Sequence, residues 1–124
     1  WGLAPCALCI WQRWPHALAL VAGAGVLVSP WANLLGLCAT LWGAGVALYH
    51  SGVELNWWEG PTTCTTTNDI GSLSVEDLFA QIEAAPLIRC DEIPWEFLGL
   101  SMANWNGIAT LGLAVIWGIA FLKR

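Results

Sequence analysis

Charge is scarce in this chain. Only 10 % of its 124 residues are Asp, Glu, Lys or Arg, against about 25 % in an average soluble domain. So small a supply does not cover a water-facing surface. With 57 % hydrophobic residues, it implies that lipid covers most of the outside. Arg13, Arg89, Lys123 and Arg124 are the full set of basic residues. No basic patch exists, which argues against nucleic acid as a partner. The nine acidic residues all fall between Glu54 and Glu96, so the net charge of −5 belongs to one segment. A glycine-rich nucleotide motif and any haem or iron–sulfur spacing are missing too. The chain opens on Trp1 rather than Met, and no basic leader precedes an apolar core. No signal peptide is visible, and we expect a fragment of a longer protein.

What is present is apolar and periodic. Three stretches, about 8–28, 34–49 and 107–122, can cross a bilayer, a task that takes roughly 20 apolar residues. The second is short and needs tilt or its milder flanking residues. All three are rich in Gly and Ala, which let membrane helices approach closely. The expected fold is an all-α membrane protein, one domain over 1–124 built as a transmembrane helical bundle. A tight turn at 29–33 makes the first two spans an antiparallel hairpin and puts Cys9 and His50 at one end. Lys123-Arg124 closes the third span, and the positive-inside rule assigns that end to the cytoplasm. The long loop, about 50–106, and the Cys6/Cys9 end then face the opposite side. Trp11, Trp14, Trp57, Trp58, Trp95 and Trp105 flank the outer span ends and Trp31 the inner turn, as indole rings favour the headgroup layer. Trp42 and Trp117 lie deeper and suit bundle packing.

The loop has its own pattern. Residues 62–71 are rich in Thr, Asn, Asp and Gly and read as a mobile stretch. Ser74 is a helix N-cap followed by Glu76 and Asp77 in the first turn. Val75, Leu78, Phe79 and Ile82 keep helical spacing until Pro86, which predicts an amphipathic helix of about ten residues lying on the membrane surface or the bundle top. Residues 93–100 read as an interfacial segment leading into the third span.

Five cysteines carry the chemistry. Cys38 sits in an apolar run and reads as a small filler. Cys64 and Cys90 lie in the loop. As a pair they suit a structural staple, worth roughly 3–4 kcal/mol in the chain-entropy view, or a redox disulfide. Pro5-Cys6-Ala7-Leu8-Cys9 places two thiols on one helical face at the start of a span. Pro suits the first helical turn, and the unpaired N–H groups and dipole there favour a thiolate. Zinc is disfavoured because no second close pair follows and neither histidine is in a ligand-like cluster in the sequence; no metal is expected. Arg13, four residues after Cys9, shares its face. It is either an interfacial anchor or a cation that stabilises negative charge on a thiolate or a reduced acceptor. His50 is either an interfacial histidine or a proton donor to that site. His16 has less to recommend it. An acceptor for thiol electrons at this depth would be a membrane-dissolved quinone.

Pro-Cys-x-x-Cys with Arg13 four residues on, Tyr49-His50 at the outer end of the next span, two loop cysteines, and Trp95-Glu96-Phe97-Leu98-Gly99-Leu100 before the last span together resemble the DsbB family. These are bacterial inner-membrane disulfide bond formation proteins, and the resemblance covers nearly the whole chain. It implies a four-helix bundle with the redox pair at the start of the second helix, so the first helix is expected to be absent here. It also implies a relay facing the periplasm, with Cys6, Cys9, Cys64 and Cys90 as the redox residues. A thioredoxin-like oxidant, DsbA, would attack Cys64 of a Cys64–Cys90 disulfide. Cys90 would exchange with Cys6, and Cys9 would be freed beside ubiquinone or menaquinone. Arg13 matches the family's quinone-site arginine and His50 its histidine. A vitamin K epoxide reductase-like enzyme is a rival, but there the Cys-x-x-Cys lies late in the bundle. A non-catalytic membrane protein with a structural Cys64–Cys90 disulfide is the other.

Overall fold

The computed structural model describes residues 4–61, 74–84 and 88–123. The expectations for Cys64, for the 62–71 stretch and for Pro86 lie outside those residues. The described chain is helical apart from one short hairpin. Helix α1 (Ala7–Trp11) and helix α2 (Arg13–Gly25) are separated by Gln12 alone. The interruption has a local cause. Pro15 lacks the N–H that would reach the Trp11 carbonyl, and its ring crowds that turn. Gln12 keeps helical dihedrals (φ −66°, ψ −18°), so α1 and α2 run on as one rod of about 28 Å.

The next two long helices are α3 (Ala32–Glu54, 23 residues) and, after the loop, α5 (Met102–Leu122, 21 residues); both are long and apolar enough to cross a membrane. Each exceeds the stretch expected from hydropathy. Helix α3 carries His50, Ser51 and Glu54 in its last turns, polar residues that hydropathy cuts off. It ends in a left-handed cap at Asn56 (φ 55°), where Asn56 N–H donates to the Val53 carbonyl and Trp57 N–H to the Gly52 carbonyl at 3.1 and 2.9 Å. This is a Schellman closure with Asn in the glycine position. It folds Trp58 back onto α3, stacked on Tyr49 with centroids 6.0 Å apart, its Nε1 donating to the Tyr49 carbonyl.

Helix α4 (Val75–Ala84) lies in the loop where the amphipathic segment was predicted. The Ser74 hydroxyl accepts from Asp77 N–H and donates to the Asp77 carboxylate, 3.2 and 2.7 Å, the N-cap that the sequence suggests. Strands β1 (Glu96–Phe97) and β2 (Leu100–Ser101) form a two-stranded antiparallel hairpin. Its turn residues Leu98 and Gly99 both have positive φ, 55° and 75°, the dihedral signs of a two-residue primed turn. Ser101 then caps α5 by accepting from Asn104 N–H.

The packing is inverted relative to a water-soluble bundle. The largest apolar side chains face outward, with Leu20 78 %, Leu27 90 % and Leu122 81 % exposed. The interior of the spans holds Ala22, Ala39, Ala44, Ala47, Ala103 and Ala114, with Thr40 and Thr110. Lipid is a solvent for the outer Leu and Val side chains, while small inner residues let the backbones close. A Cβ added to Gly36 would lie 2.5 Å from the Trp117 ring, and one added to Gly43 would lie 3.0 Å from Thr110 Cγ2 and 3.1 Å from Pro15 Cβ. Helices α2, α3 and α5 therefore meet at Gly43, with α3 antiparallel to both neighbours.

These contacts set an expectation. Gly36→Ala drives a methyl into an indole that must move. It should lower the stability of the purified protein in detergent by about 1–3 kcal/mol, as overpacking does. Gly45, where an added Cβ meets nothing within 4 Å, is the matched control. Gly45→Ala should be neutral or stabilise by up to about 1 kcal/mol through helix propensity. Thermal melts of the two variants side by side test this.

Candidate active site

The Cys-x-x-Cys pair sits where α1 begins. Cys6 is its N-cap, with the sulfur accepting from Cys9 N–H at 3.2 Å. The Cys6 thiol donates to the Cys9 sulfur at 2.8 Å. Cys6 is buried and Cys9 half-buried, so Cys9 is the more accessible sulfur. Both are free thiols here, as is Cys38, which is exposed on the outside of the bundle.

His50 reaches the pair from α3, with Nε2 3.6 Å from Cys6 Sγ. Its other nitrogen, Nδ1, accepts from Gln12 Nε2 at 2.8 Å. The chain of bonds continues inward. Asn106 Nδ2 donates to Gln12 Oε1 at 2.6 Å, and His16 Nε2 donates to Asn106 Oδ1 at 2.8 Å. One row of four side chains thus runs from the dithiol into the bundle and ties α2, α3 and α5 together. On the other side of His50, Nε2 lies 3.9 Å from Glu54 Oε1. The second oxygen of Glu54 accepts from the Ser101 hydroxyl. Unpaired polar groups are costly in lipid surroundings. Among the described residues, no buried side-chain nitrogen or oxygen lacks a partner.

Two cavities open on this cluster. One of about 270 Å³ is lined by Cys9, Arg13, His50, Met102 and Asn106. The other, about 260 Å³, is lined by Cys6, Cys9, His50, Glu54 and Arg89. The fold thus brings Cys6, Cys9, Arg13 and His50 together at one end of the bundle. Cys90 joins them. It is disulfide-bonded and fully buried, packed in one apolar cluster with Cys6, Leu8 and Val53. Beside it, Arg89 grips Asp91 with two hydrogen bonds, 2.9 and 2.5 Å. That pair holds the Asp91 carboxyl below the usual range. Its contribution is therefore present above the ordinary aspartate pKa and lost only as pH falls through the lower, folded value.

Four residues of this cluster were not singled out by sequence: Gln12, Glu54, Ser101 and Asn106. Each is polar within or beside an apolar run, and that is the signal that finds them, because such residues face the bundle interior. His16, set aside in the sequence, ends the row.

Comparison with known proteins identifies the family. The family model described as "Disulfide bond formation protein DsbB" matches residues 1–120. Among curated relatives, a Disulfide bond formation protein B of Polaromonas sp. (strain JS666) is 30 % identical over 138 residues, covering 99 % of this chain and 76 % of the relative. One of Azoarcus sp. (strain BH72) is 35 % identical over 131 residues, covering 94 % and 75 %. One of Pasteurella multocida (strain Pm70) is 29 % identical over 135 residues, covering 99 % and 74 %. No solved structure matches the chain.

Ser101 holds two tasks, capping α5 and donating to Glu54. Ser101→Ala removes the cap, worth about 0.5–2 kcal/mol, and leaves Glu54 without its donor, a further loss of about 1–3 kcal/mol. Ser101→Thr keeps the hydroxyl and should retain most of the stability. Thermal unfolding in detergent distinguishes them, and equal melting of the two variants would contradict the double role.

Proposed function

Because the chain belongs to the DsbB family of disulfide bond formation proteins, we propose that it is a membrane thiol:quinone oxidoreductase that reoxidises a DsbA-like thioredoxin-fold protein. The family supports the coarser statement directly: the chain is a disulfide-forming oxidoreductase of a membrane. The finer reading rests on one observation. Cys9, Arg13 and His50 line a single cavity, and Cys6 is held between Cys9 and His50.

The relay balances as a series of thiol–disulfide exchanges. A thiolate of the reduced partner attacks Cys64 of a Cys64–Cys90 disulfide and expels Cys90. The partner's second thiol displaces Cys64, and the partner leaves oxidised. Cys90 then attacks Cys6 of a Cys6–Cys9 disulfide and expels Cys9 as a thiolate. Cys64 displaces Cys6 from Cys90, which restores the loop disulfide and leaves two electrons on Cys6 and Cys9. The packing of Cys90 against Cys6 supports this order. The bond from the Cys6 thiol to the Cys9 sulfur keeps the proton on the buried partner and electron density on the reachable one.

A ubiquinone or menaquinone bound at the cavity would supply the two-electron acceptor. The residues fit such a group: Pro94, Met102 and Ala103 give apolar walls, and Arg13 and His50 bring polar groups to the same space. Arg13 is exposed and would stabilise negative charge near Cys9. Gln12 fixes the ring plane of His50, so that Nε2 stays on the sulfur side. Arg13 and His50 are the residues we assign to quinone binding. The site is assigned to the periplasmic side of a bacterial inner membrane, because the basic Lys123, the C-cap of α5, lies at the opposite end of the bundle. Helix α4, with Val75 and Phe79 exposed, suits a surface tether for the loop that carries Cys64.

Quinone reduction driven by a reduced thioredoxin-like protein tests the whole reading. Cys9→Ala should abolish that turnover, and intact turnover would overturn the relay. A reduced partner whose second active-site cysteine is replaced by Ala should accumulate an adduct through Cys64 on non-reducing gels as Cys90 is expelled, whereas an adduct through Cys90 would contradict the order of attack. Arg13→Ala should raise the KM for quinone by about 10-fold or more, roughly the 1.4 kcal/mol of one modest charged contact, with expression little changed. Equal loss of expression and turnover would favour the anchor role.

A further inference from the structure

We propose that the reduced form of this protein binds one soft divalent cation, zinc in particular, at Cys6, Cys9 and His50, and that this binding blocks the dithiol. The sequence argued against a metal because no second close cysteine pair follows and neither histidine is in a ligand-like cluster along the chain. Folding changes that premise. The two sulfurs and a nitrogen of His50 all lie within 4.8 Å of one another.

The spacing suits a tetrahedral centre. With Zn–S about 2.3 Å and Zn–N about 2.0–2.1 Å, two ligand sulfurs stand about 3.8 Å apart and a sulfur and a nitrogen about 3.5 Å. Cys6 Sγ and His50 Nε2 are already 3.6 Å apart. The Cys6–Cys9 separation of 2.8 Å must open by about an ångström to reach the sulfur–sulfur edge. Cys9, half-buried and bordering both cavities, has room to turn. The fourth position faces the cavity and takes water.

Charge favours the same set. Each thiol releases its proton to solvent as its sulfur–metal bond forms, and no electrons move. Two thiolates, a neutral imidazole and a dication sum to zero. A neutral centre escapes the cost of a net charge at membrane depth. Ligation through Nε2 requires the proton of His50 on Nδ1. Rotation of the Gln12 amide would supply the matching acceptor, with Asn106 rotating in step and the proton of His16 moving to its other nitrogen. Gln12 thus becomes the outer partner that orients the ligand. In the disulfide form the two sulfurs are bonded to each other and offer no thiolate. Binding is therefore confined to the reduced protein, where it withdraws both nucleophiles from exchange. The inference does not depend on which electron acceptor the protein uses.

Cobalt(II) is the probe, with zinc as competitor, on the detergent-solubilised chain. The dithiol form should bind one equivalent with sulfur-to-cobalt charge-transfer and tetrahedral d–d bands. Zinc should displace the cobalt, a chelator should reverse binding, and the form oxidised at Cys6 and Cys9 should bind none. Equal binding by both redox forms would overturn the proposal without any variant. His50→Ala should cost at least the roughly 10- to 100-fold in affinity typical of losing an outer-shell partner, and Gln12→Leu about that much. Unchanged affinity in His50→Ala would overturn the three-ligand centre. Cys38→Ser should bind as the parent protein does, and loss of binding there would place the site elsewhere.

Discussion

The meeting of α2, α3 and α5 at Gly43 is the constraint on which the rest of this structure depends. Pro15 and Thr110 approach that glycine so closely that an added Cβ would push both back by a few tenths of an ångström. The three backbones can close only because the facing residues are small. One helical turn or two above this point, the same closeness puts Gln12, His50 and Asn106 within hydrogen-bond reach of one another. Wider helix spacing would leave three polar groups unpaired in surroundings without water, each a costly defect. The small-residue packing and the polar row thus support each other. Without the packing the row is unsatisfied, and without the row three polar residues would oppose the packing.

The sequence disclosed the parts of this design that rest on local chemistry. The scarcity of charge, the apolar stretches, the Ser74 cap and the closeness of Cys6 and Cys9 at a helix start all follow from neighbours along the chain; that Cys6 caps the helix from an extended position rather than sharing its face does not. It disclosed less where partners are distant. Glu54 and Ser101 are 47 residues apart, and Gln12 and Asn106 are 94 apart, so nothing local marks them as pairs. Hydropathy also shortened α3 and α5, because His50, Ser51, Glu54, Ser101 and Asn104 lower the local average where the helices or their caps still run. The hairpin was hidden for another reason. Leu98 occupies a left-handed position that Gly or Asn ordinarily fills, so its residue type gives no hint of a turn.

Burial gives the two sulfurs different characters although they are three residues apart. The helix start holds Cys6 inward, against Leu8, Val53 and Cys90, while Cys9 alone of the two borders the cavity that Arg13 lines. In the proposed relay this asymmetry separates two exchanges that share one dithiol. Cys6 faces the loop cysteine, and Cys9 faces the acceptor side with Arg13. A pair exposed alike on both sulfurs would allow either to be attacked from either side, and the direction of electron flow would not be set by structure.

The row from His50 to His16 carries a further consequence. Both intermediate residues are primary amides, each with a donor and an acceptor end. As it stands, donation runs from His16 through Asn106 and Gln12 to His50 Nδ1. Rotation of both amides yields an equally satisfied row of opposite sense, with donation running from His50 to His16. Mixed orientations place two donors or two acceptors face to face and are costly at low dielectric. The row therefore has two fully bonded senses, and the position of the proton on His50 is tied to that on His16. A change at the dithiol that demands one tautomer of His50 selects the sense of the whole row. The proton state at the sulfur end is in this way coupled to a histidine on a different helix.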